Sequence, residues 1–313
     1  MQVLIIGCGN IGALYDFEND SILTHAKAFS KKSRCKIYFY DLNILLAEKI
    51  AARYKSIFLP DLNKVDFSEY DCISICTPTA SHFQFLKRAI ESNVKLIICE
   101  KPVSNSEGEL LELKKLYENN KSKIIVNYIR RFQPSFSWLK KFIEDVLISE
   151  KLTHVAIRYQ RGFINNCSHA FDLISYLTSR PIDLRNVQKQ NFVYDHFQND
   201  PTLSLLANWN DVNVNVLGLS NVHFSHFEID LYFSTFKIAI KESGDQIDIF
   251  ESEFFGNLLK PLKFNKKLSR KNCLKNYMLE VVDSALDLLD SESNADNFIE
   301  SVNLNLLMLK YLN

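Results

Sequence analysis

Three sets of residues in this chain have types and spacings suited to joint chemistry. The first is Gly7-Cys8-Gly9-Asn10-Ile11-Gly12, a GxGxxG run directly after the apolar stretch Val3 to Ile6. Its glycines permit a tight turn out of a strand, leave room for a pyrophosphate to reach backbone N–H groups, and let helix and strand pack closely. The second set is Glu100-Lys101-Pro102, which follows the apolar run Lys95 to Cys99. An ammonium held at a strand's carboxyl end can hydrogen-bond and polarise an oxygen beside it. The third is His169 with Asp172, three residues apart in a helix-like segment. A carboxylate on the same helix face orients an imidazole and keeps its proton exchange near neutral pH. The three sets together describe a dinucleotide site, a lysine at a strand's carboxyl end, and a histidine placed to exchange a proton near neutral pH.

The elements that position these groups follow from the apolar pattern. Strand-like runs at 3–6, 36–40, 56–59, 71–76, 95–99 and 123–128 alternate with helix-like segments at 43–53, 83–93 and 108–118. This rhythm predicts a doubly wound parallel sheet with helices on both faces, whose ligands lie beyond the carboxyl ends of the strands. Polar residues fall at those ends: Asp41, then Thr77-Pro78-Thr79-Ala80-Ser81-His82, then Glu100 and Lys101, then Tyr128 and Arg131. Asp41 is of the type that accepts hydrogen bonds from ribose hydroxyls, and its charge repels a 2′-phosphate, so NAD(H) is expected over NADP(H). Its distance from the glycines exceeds the usual separation of about 20 residues. The excess is assigned to a long connection around Tyr15 to Leu23. A plain capping role for Asp41, at the start of helix 43–53, is the alternative.

From about Tyr128 the pattern changes. A helix at 136–148 and a strand at 153–159 lead to the His169 segment, after which close strand-like runs between 183 and 250 lack intervening helices. A largely antiparallel sheet is expected there, and two amphipathic helices at the end of the chain are expected to be packing elements. The fold class is therefore α/β, with an N-terminal Rossmann domain over 1–127. Residues 128–313 are expected to form an α+β domain for substrate binding and oligomerisation.

Composition narrows the function. The 37 basic and 37 acidic residues among 313 cancel, which argues against a nucleic-acid partner. No apolar run approaches the ~20 residues of a membrane span, and no leader segment is evident at the start, so no membrane partner and a cytoplasmic location are expected. The seven cysteines form no CxxC pair, and His223 and His226 are poorly spaced for one face of a strand, so no metal is expected.

Glu100-Lys101-Pro102 after a GxGxxG domain, with Thr77-Pro78 and His82, Arg131-Phe132, and His169 and Asp172, resembles the glucose-fructose oxidoreductase, inositol dehydrogenase and MocA (Gfo/Idh/MocA) family of NAD(P)-dependent sugar oxidoreductases. The resemblance implies Lys101 beside the nicotinamide and the reacting carbinol, and a cis bond before Pro102. It further implies His169 as acid or base on the sugar hydroxyl with Asp172 assisting. Cofactor contacts are implied for Gly7, Cys8, Gly9, Asn10, Ile11, Gly12, Asp41, Thr77, Pro78, Thr79, His82, Glu100 and Lys101, and substrate contacts for Tyr128, Arg131, Asn165 and His169. The chain departs from the family pattern DxGxHxxD in carrying Asn165 for its first Asp and Cys167 for its Gly. The implied activity is hydride transfer between nicotinamide and a secondary alcohol or ketone of a sugar or sugar derivative, including nucleotide-linked sugars for surface glycans. A homodimer or homotetramer through the C-terminal sheet is implied as well. Two alternatives stand beside it: a non-catalytic NAD-dependent regulatory protein, and an epimerase or glycosidase that recycles bound NAD through a keto intermediate.

Overall fold

A computed structural model describes residues 1–252, 259–292 and 295–312. In chain order the elements are β1 (Gln2–Ile6), α1 (His25–Ser30), β2 (Lys36–Tyr40), α2 (Ile44–Arg53), β3 (Ile57–Phe58), β4 (Cys72–Ile75), α3 (His82–Glu91), β5 (Leu96–Cys99), α4 (Glu107–Glu118) and β6 (Lys123–Val126). They continue as α5 (Pro134–Val146), β7 (Leu152–Tyr159), α6 (Ser168–Thr178), β8 (Leu184–Val193), β9 (Thr202–Trp209), β10 (Val212–Gly218), β11 (Glu228–Phe233), β12 (Phe236–Lys241) and β13 (Gln246–Glu251). Two short strands, β14 (Lys263–Phe264) and β15 (Arg270–Lys271), precede α7 (Tyr277–Asp290) and α8 (Phe298–Leu312). The chain divides into two compact units, one of residues 1–132 with 276–313 and one of residues 133–275.

The first unit holds a six-stranded sheet in the order β3-β2-β1-β4-β5-β6, with every pair parallel. Its central strands are buried on both faces, which is why they read as continuous apolar runs rather than alternating ones. The order reverses direction between β1 and β4, the crevice where doubly wound sheets bind ligands.

The terminal helices, expected to belong to the second domain, pack instead in the first unit. Met278, Val281, Val282, Ala285 and Leu286 of α7 are buried in one cluster with Val3, Ile5, Phe39 and Ile98 of the parallel sheet. The segment before α8 then covers the exposed edge of β6. Asp296 Oδ2 accepts from Ile124 N at 2.8 Å, and Asn297 exchanges two bonds with the Val126 backbone at 2.8 and 2.9 Å. A bare edge strand carries unpaired donors and acceptors, and these two side chains supply them with partners. The reassigned boundary thus has a physical cause: β6 is an edge, and the chain returns to close it.

In the second unit the described residues form a nine-stranded sheet, β14-β13-β12-β11-β7-β10-β9-β8, with β15 also on β13. Every pair is antiparallel except β10 with β7. Strand β10 alternates buried and exposed residues along its length, the pattern of a sheet with one packed face. The helices α5 and α6 belong to this unit and pack against each other.

Candidate active site

The glycine run does what its spacing requires. Gly7 follows β1 with φ +98°, and a side chain there would meet the Cys76 backbone carbon at 2.8 Å. Gly12 faces Gly7, with an added Cβ only 2.1 Å from the Gly7 carbonyl oxygen. Above Gly9 lies open space, with no atom within 4 Å of an added Cβ. The run opens a single π-helical turn, Asn10–Leu14, and no longer helix. Residues 15–24 form the long connection, pinned by the buried Asp16, whose carboxylate accepts from Leu23 N, Thr24 N and Thr24 Oγ1 at 2.6, 2.9 and 2.8 Å.

Asp41 closes this corner. Its Oδ2 accepts from Cys8 N at 2.7 Å, and its Oδ1 accepts from Asn43 N at 2.8 Å ahead of α2. The carboxylate therefore stands against the glycine turn and also shapes the start of the next helix. The open space at Gly9 and an acid beside it fit a dinucleotide: pyrophosphate over the turn and ribose at the acid.

Two loops farther along the same rim are tied together by His82. Its side chain is buried, with Nδ1 2.8 Å from the Pro102 carbonyl oxygen and Nε2 2.8 Å from the Thr77 carbonyl oxygen. Burial pulls its pKa down from 6.5 against the pull of these two carbonyls. His82 thereby braces the Thr77-Pro78 loop against the Glu100-Lys101-Pro102 loop, with both ring nitrogens facing backbone carbonyls. Thr77 and Thr79 are half-buried and Pro78 exposed. The Lys101–Pro102 bond is cis.

Glu100 belongs to a buried cluster that sequence reasoning missed. His25 Nε2 lies 3.0 Å from Glu100 Oε1, and His25 Nδ1 lies 2.7 Å from Ser74 Oγ. Asn127 Nδ2 donates to the same Glu100 oxygen at 2.5 Å. Burial opposes a charge on His25, but the Cys76 sulfur and the Glu100 carboxylate more than offset it and raise the ring from 6.5 to about 10. Burial likewise opposes the Glu100 charge, and the His25 hydrogen bond and charge overcome it, holding Glu100 below its ordinary 4.5. A raised histidine stabilises the fold fully below its unfolded value and loses that contribution as pH rises through its folded one. The urea midpoint is therefore expected to fall as pH climbs from 6.5 to about 10. His25→Gln should flatten that limb, and an equally steep limb in the variant would place the titration elsewhere.

Two residues expected at the substrate are engaged within the first unit. Tyr128 is buried, with its hydroxyl accepting from Asn305 Nδ2 of α8 at 3.4 Å. Arg131 Nη1 donates to Glu300 Oε2 at 3.0 Å, and its side chain is 8% exposed. Both anchor α8, a role hidden from a reading that placed the helix in the other domain.

In the second unit, a π-helical turn Phe163–Cys167 leads directly into α6. Asp200, buried, accepts from Ile164 N and Asn165 N at 2.8 and 2.7 Å and fixes this turn. Asn165 Nδ2 donates to the Arg161 carbonyl at 3.1 Å. His169 is half-buried on α6 against the Phe227 ring, edge to face at 6.4 Å, while Asp172 on the same helix is buried. Cys167 sits at φ −64°, so the position that is Gly in the resembled pattern accepts a side chain without strain.

With this geometry in view, residues 1–128 match the profile of the Gfo/Idh/MocA group, described as an oxidoreductase family with an NAD-binding Rossmann fold. The match is to the first 128 of 313 residues, so it shows an NAD-binding Rossmann fold of that family's kind in the N-terminal part of the chain. It is 36% identical over 146 residues to an uncharacterised oxidoreductase of Bacillus subtilis, covering 45% of this chain and 39% of that protein. It is 30% identical over 151 residues to an inositol 2-dehydrogenase of Rhizobium meliloti, covering 47% of this chain and 41% of that one. The chain thus spans about two fifths of the curated relatives it matches. The full fold resembles the structure of a UDP-N-acetylglucosamine 3-dehydrogenase from Acidithiobacillus ferrooxidans, with TM-score 0.76 and 15% identity over 99% of this chain and 96% of that one.

Proposed function

We propose that this chain is a Gfo/Idh/MocA-type, NAD-dependent oxidoreductase acting on a secondary alcohol or ketone of a sugar or sugar derivative. The observation that carries the reading is the first unit's rim: open space at Gly9, the Asp41 carboxylate held on Cys8 N, and Lys101 at the end of β5. Bound NAD(H) would accept or supply the hydride. Lys101 holds and polarises the substrate oxygen, and either it or His169, assisted by Asp172, exchanges the proton; the pH profiles of their variants decide which. Asn165 offers neutral hydrogen bonds where the family pattern has a charge, which favours a hydroxyl-rich substrate over a cationic one. Related proteins named for inositol and for a UDP-linked amino sugar support the substrate class.

The test is a screen of inositols, free sugars, sugar acids and nucleotide-linked sugars for formation or consumption of NADH. NADH binding with no sustained absorbance change for any of them would defeat the dehydrogenase reading in favour of a sensor or an enzyme that recycles its cofactor. Cofactor choice rests on Asp41. Hydrogen bonds to a charged acceptor contribute about 1.5–3 kcal/mol, so Asp41→Ala is expected to weaken NADH by about tenfold or more. The same change should bring NADPH closer to NADH, and a wild-type protein that binds NADPH more tightly would overturn the preference.

We also propose that two copies pair through the second unit's sheet. Its strands form a groove of about 650 Å³ lined by His154, Leu206, Asn208, Asn213 and Tyr232, with Asn186, Asn208, Asn213 and His154 joined across four strands by side-chain bonds of 3.1–3.2 Å. Light scattering that gives a monomer mass at micromolar concentration would end that proposal.

A further inference from the structure

The carboxyl ends of three neighbouring strands, β4, β5 and β6, are linked below the rim by side chains of which only Glu100 belongs to a sequence motif. Ser74 comes from β4, Glu100 follows β5, and Asn127 follows β6. His25, the first residue of α1 and fully buried, reaches Ser74 with one ring nitrogen and Glu100 with the other, at 2.7 and 3.0 Å. The Glu100 side chain is only 13% exposed. An isolated carboxylate so placed would take up a proton, whereas one that faces a cation with its bonds satisfied stays ionised and fixed. Glu100 is bonded to Lys101 through the chain, and its charge faces the Lys101 ammonium, His82 and the Tyr277 phenol, while His25 faces Cys76.

We infer that His25 is a positioning residue: as an imidazolium at neutral pH it keeps Glu100 an immobile anion, and that anion sets the place and field of the neighbouring Lys101. The inference rests on the proposed role of Lys101 in hydride transfer. The ring bonds fit the charged form, since an imidazolium donates from both nitrogens, to the Ser74 hydroxyl and to the Glu100 carboxylate. Its position at the end of the long connection explains why that connection is pinned so firmly: Thr24, held by Asp16, caps α1 by accepting from Lys27 N and so fixes where the next residue, His25, points.

The experiment uses the full chain labelled with ¹⁵N-histidine, with the His25 ring signals assigned by their loss in His25→Gln. The ring is expected to be doubly protonated at pH 7 and to remain so at pH 9; a neutral ring at pH 7 overturns the inference. On a sugar that the wild-type protein oxidises, His25→Gln keeps one hydrogen bond to Glu100 and no charge. It should lose about 100-fold in kcat, the scale of a small misplacement of reacting groups. NADH affinity should hold, and the acid limb of the pH profile should move to higher pH as Glu100 becomes easier to protonate. Wild-type kcat and an unmoved limb in folded His25→Gln would overturn it. If His25→Ala fails to fold, His25→Ala/Glu100→Gln, which removes both charges, should fold and remain slow; fast turnover in that double variant would refute a positioning role. Should the wild-type protein turn over no sugar, the reaction reading fails while the ¹⁵N spectrum still decides the charge on His25.

Discussion

Lys101→Ala is expected to lower kcat by about 10²–10⁴-fold, the range for loss of a positioned proton-handling group, while leaving NADH binding close to that of the wild type. The separation follows from where the parts sit. The cradle is made of Gly7, Gly9, Gly12 and Asp41 at the ends of β1 and β2, and Lys101 stands two strands away along the sheet, past β4. Removing the amine takes nothing from the pyrophosphate or adenosine ribose contacts. Lys101→Arg divides the two jobs the amine performs. A guanidinium retains the positive charge and donates to an oxygen but does not give up its proton, so partial recovery would mean that polarising the oxygen is the main task. No recovery, with the basic limb of the pH profile also lost, would assign the proton transfer to Lys101 and leave His169 as its partner. Near-wild-type turnover in Lys101→Ala would remove this residue from the chemistry.

The parallel sheet was legible because its strands are buried on both faces and their apolar runs end in residues with few other uses: glycines, Asp41, Thr77-Pro78, and the Glu100-Lys101-Pro102 tripeptide. The cis bond at Pro102 matched what the resemblance implied. Periodicity also found α7 and α8, but not their partners. A helical stripe reports which face is apolar and says nothing about which sheet it meets, and the residues that tie this region to β6, Asp296 and Asn297, look like ordinary polar residues of a loop. The contacts of Tyr128 and Arg131 with α8 were hidden for the same reason, since their partners Asn305 and Glu300 are remote in the chain. His25 was hidden differently. It lies in a short helix after an irregular connection, and its chemistry depends on Glu100 and Asn127, which are remote in the chain. A single signal was available: the interval between Gly12 and Asp41 is too long for a simple turn and helix, so something in it had to be held in place.

Asp200 is the second residue whose loss should be costly, and it lies entirely within the other unit. Its carboxylate is 5% exposed and accepts two backbone N–H groups, Ile164 at 2.8 Å and Asn165 at 2.7 Å. Just before them, Gly162 has φ +83° and brings its backbone so near that an added Cβ would stand 2.2 Å from Asp200 Oδ2. The turn that carries Asn165 and starts the His169 helix is therefore built around one buried anion. Asp200→Ala leaves two donors without their acceptor and is expected to cost about 3 kcal/mol, given about 1.5–3 kcal/mol for each bond to a charged group and some relief from no longer burying the charge. Gly162→Ala should act in the same direction by pushing the carboxylate away. Amide hydrogen exchange reads the effect where it occurs: protection at 164 and 165 should collapse, while the strands of the parallel sheet keep theirs and NADH affinity is unchanged, because the cradle residues belong to the first unit. The turnover of Asp200→Ala should fall with kcat, as His169 and Asn165 lose their fixed starting point. Full protection at 164 and 165 in that variant would show that the turn is held by its π-helical backbone alone, and Asp200 would then be a buried charge with no part in presenting the histidine.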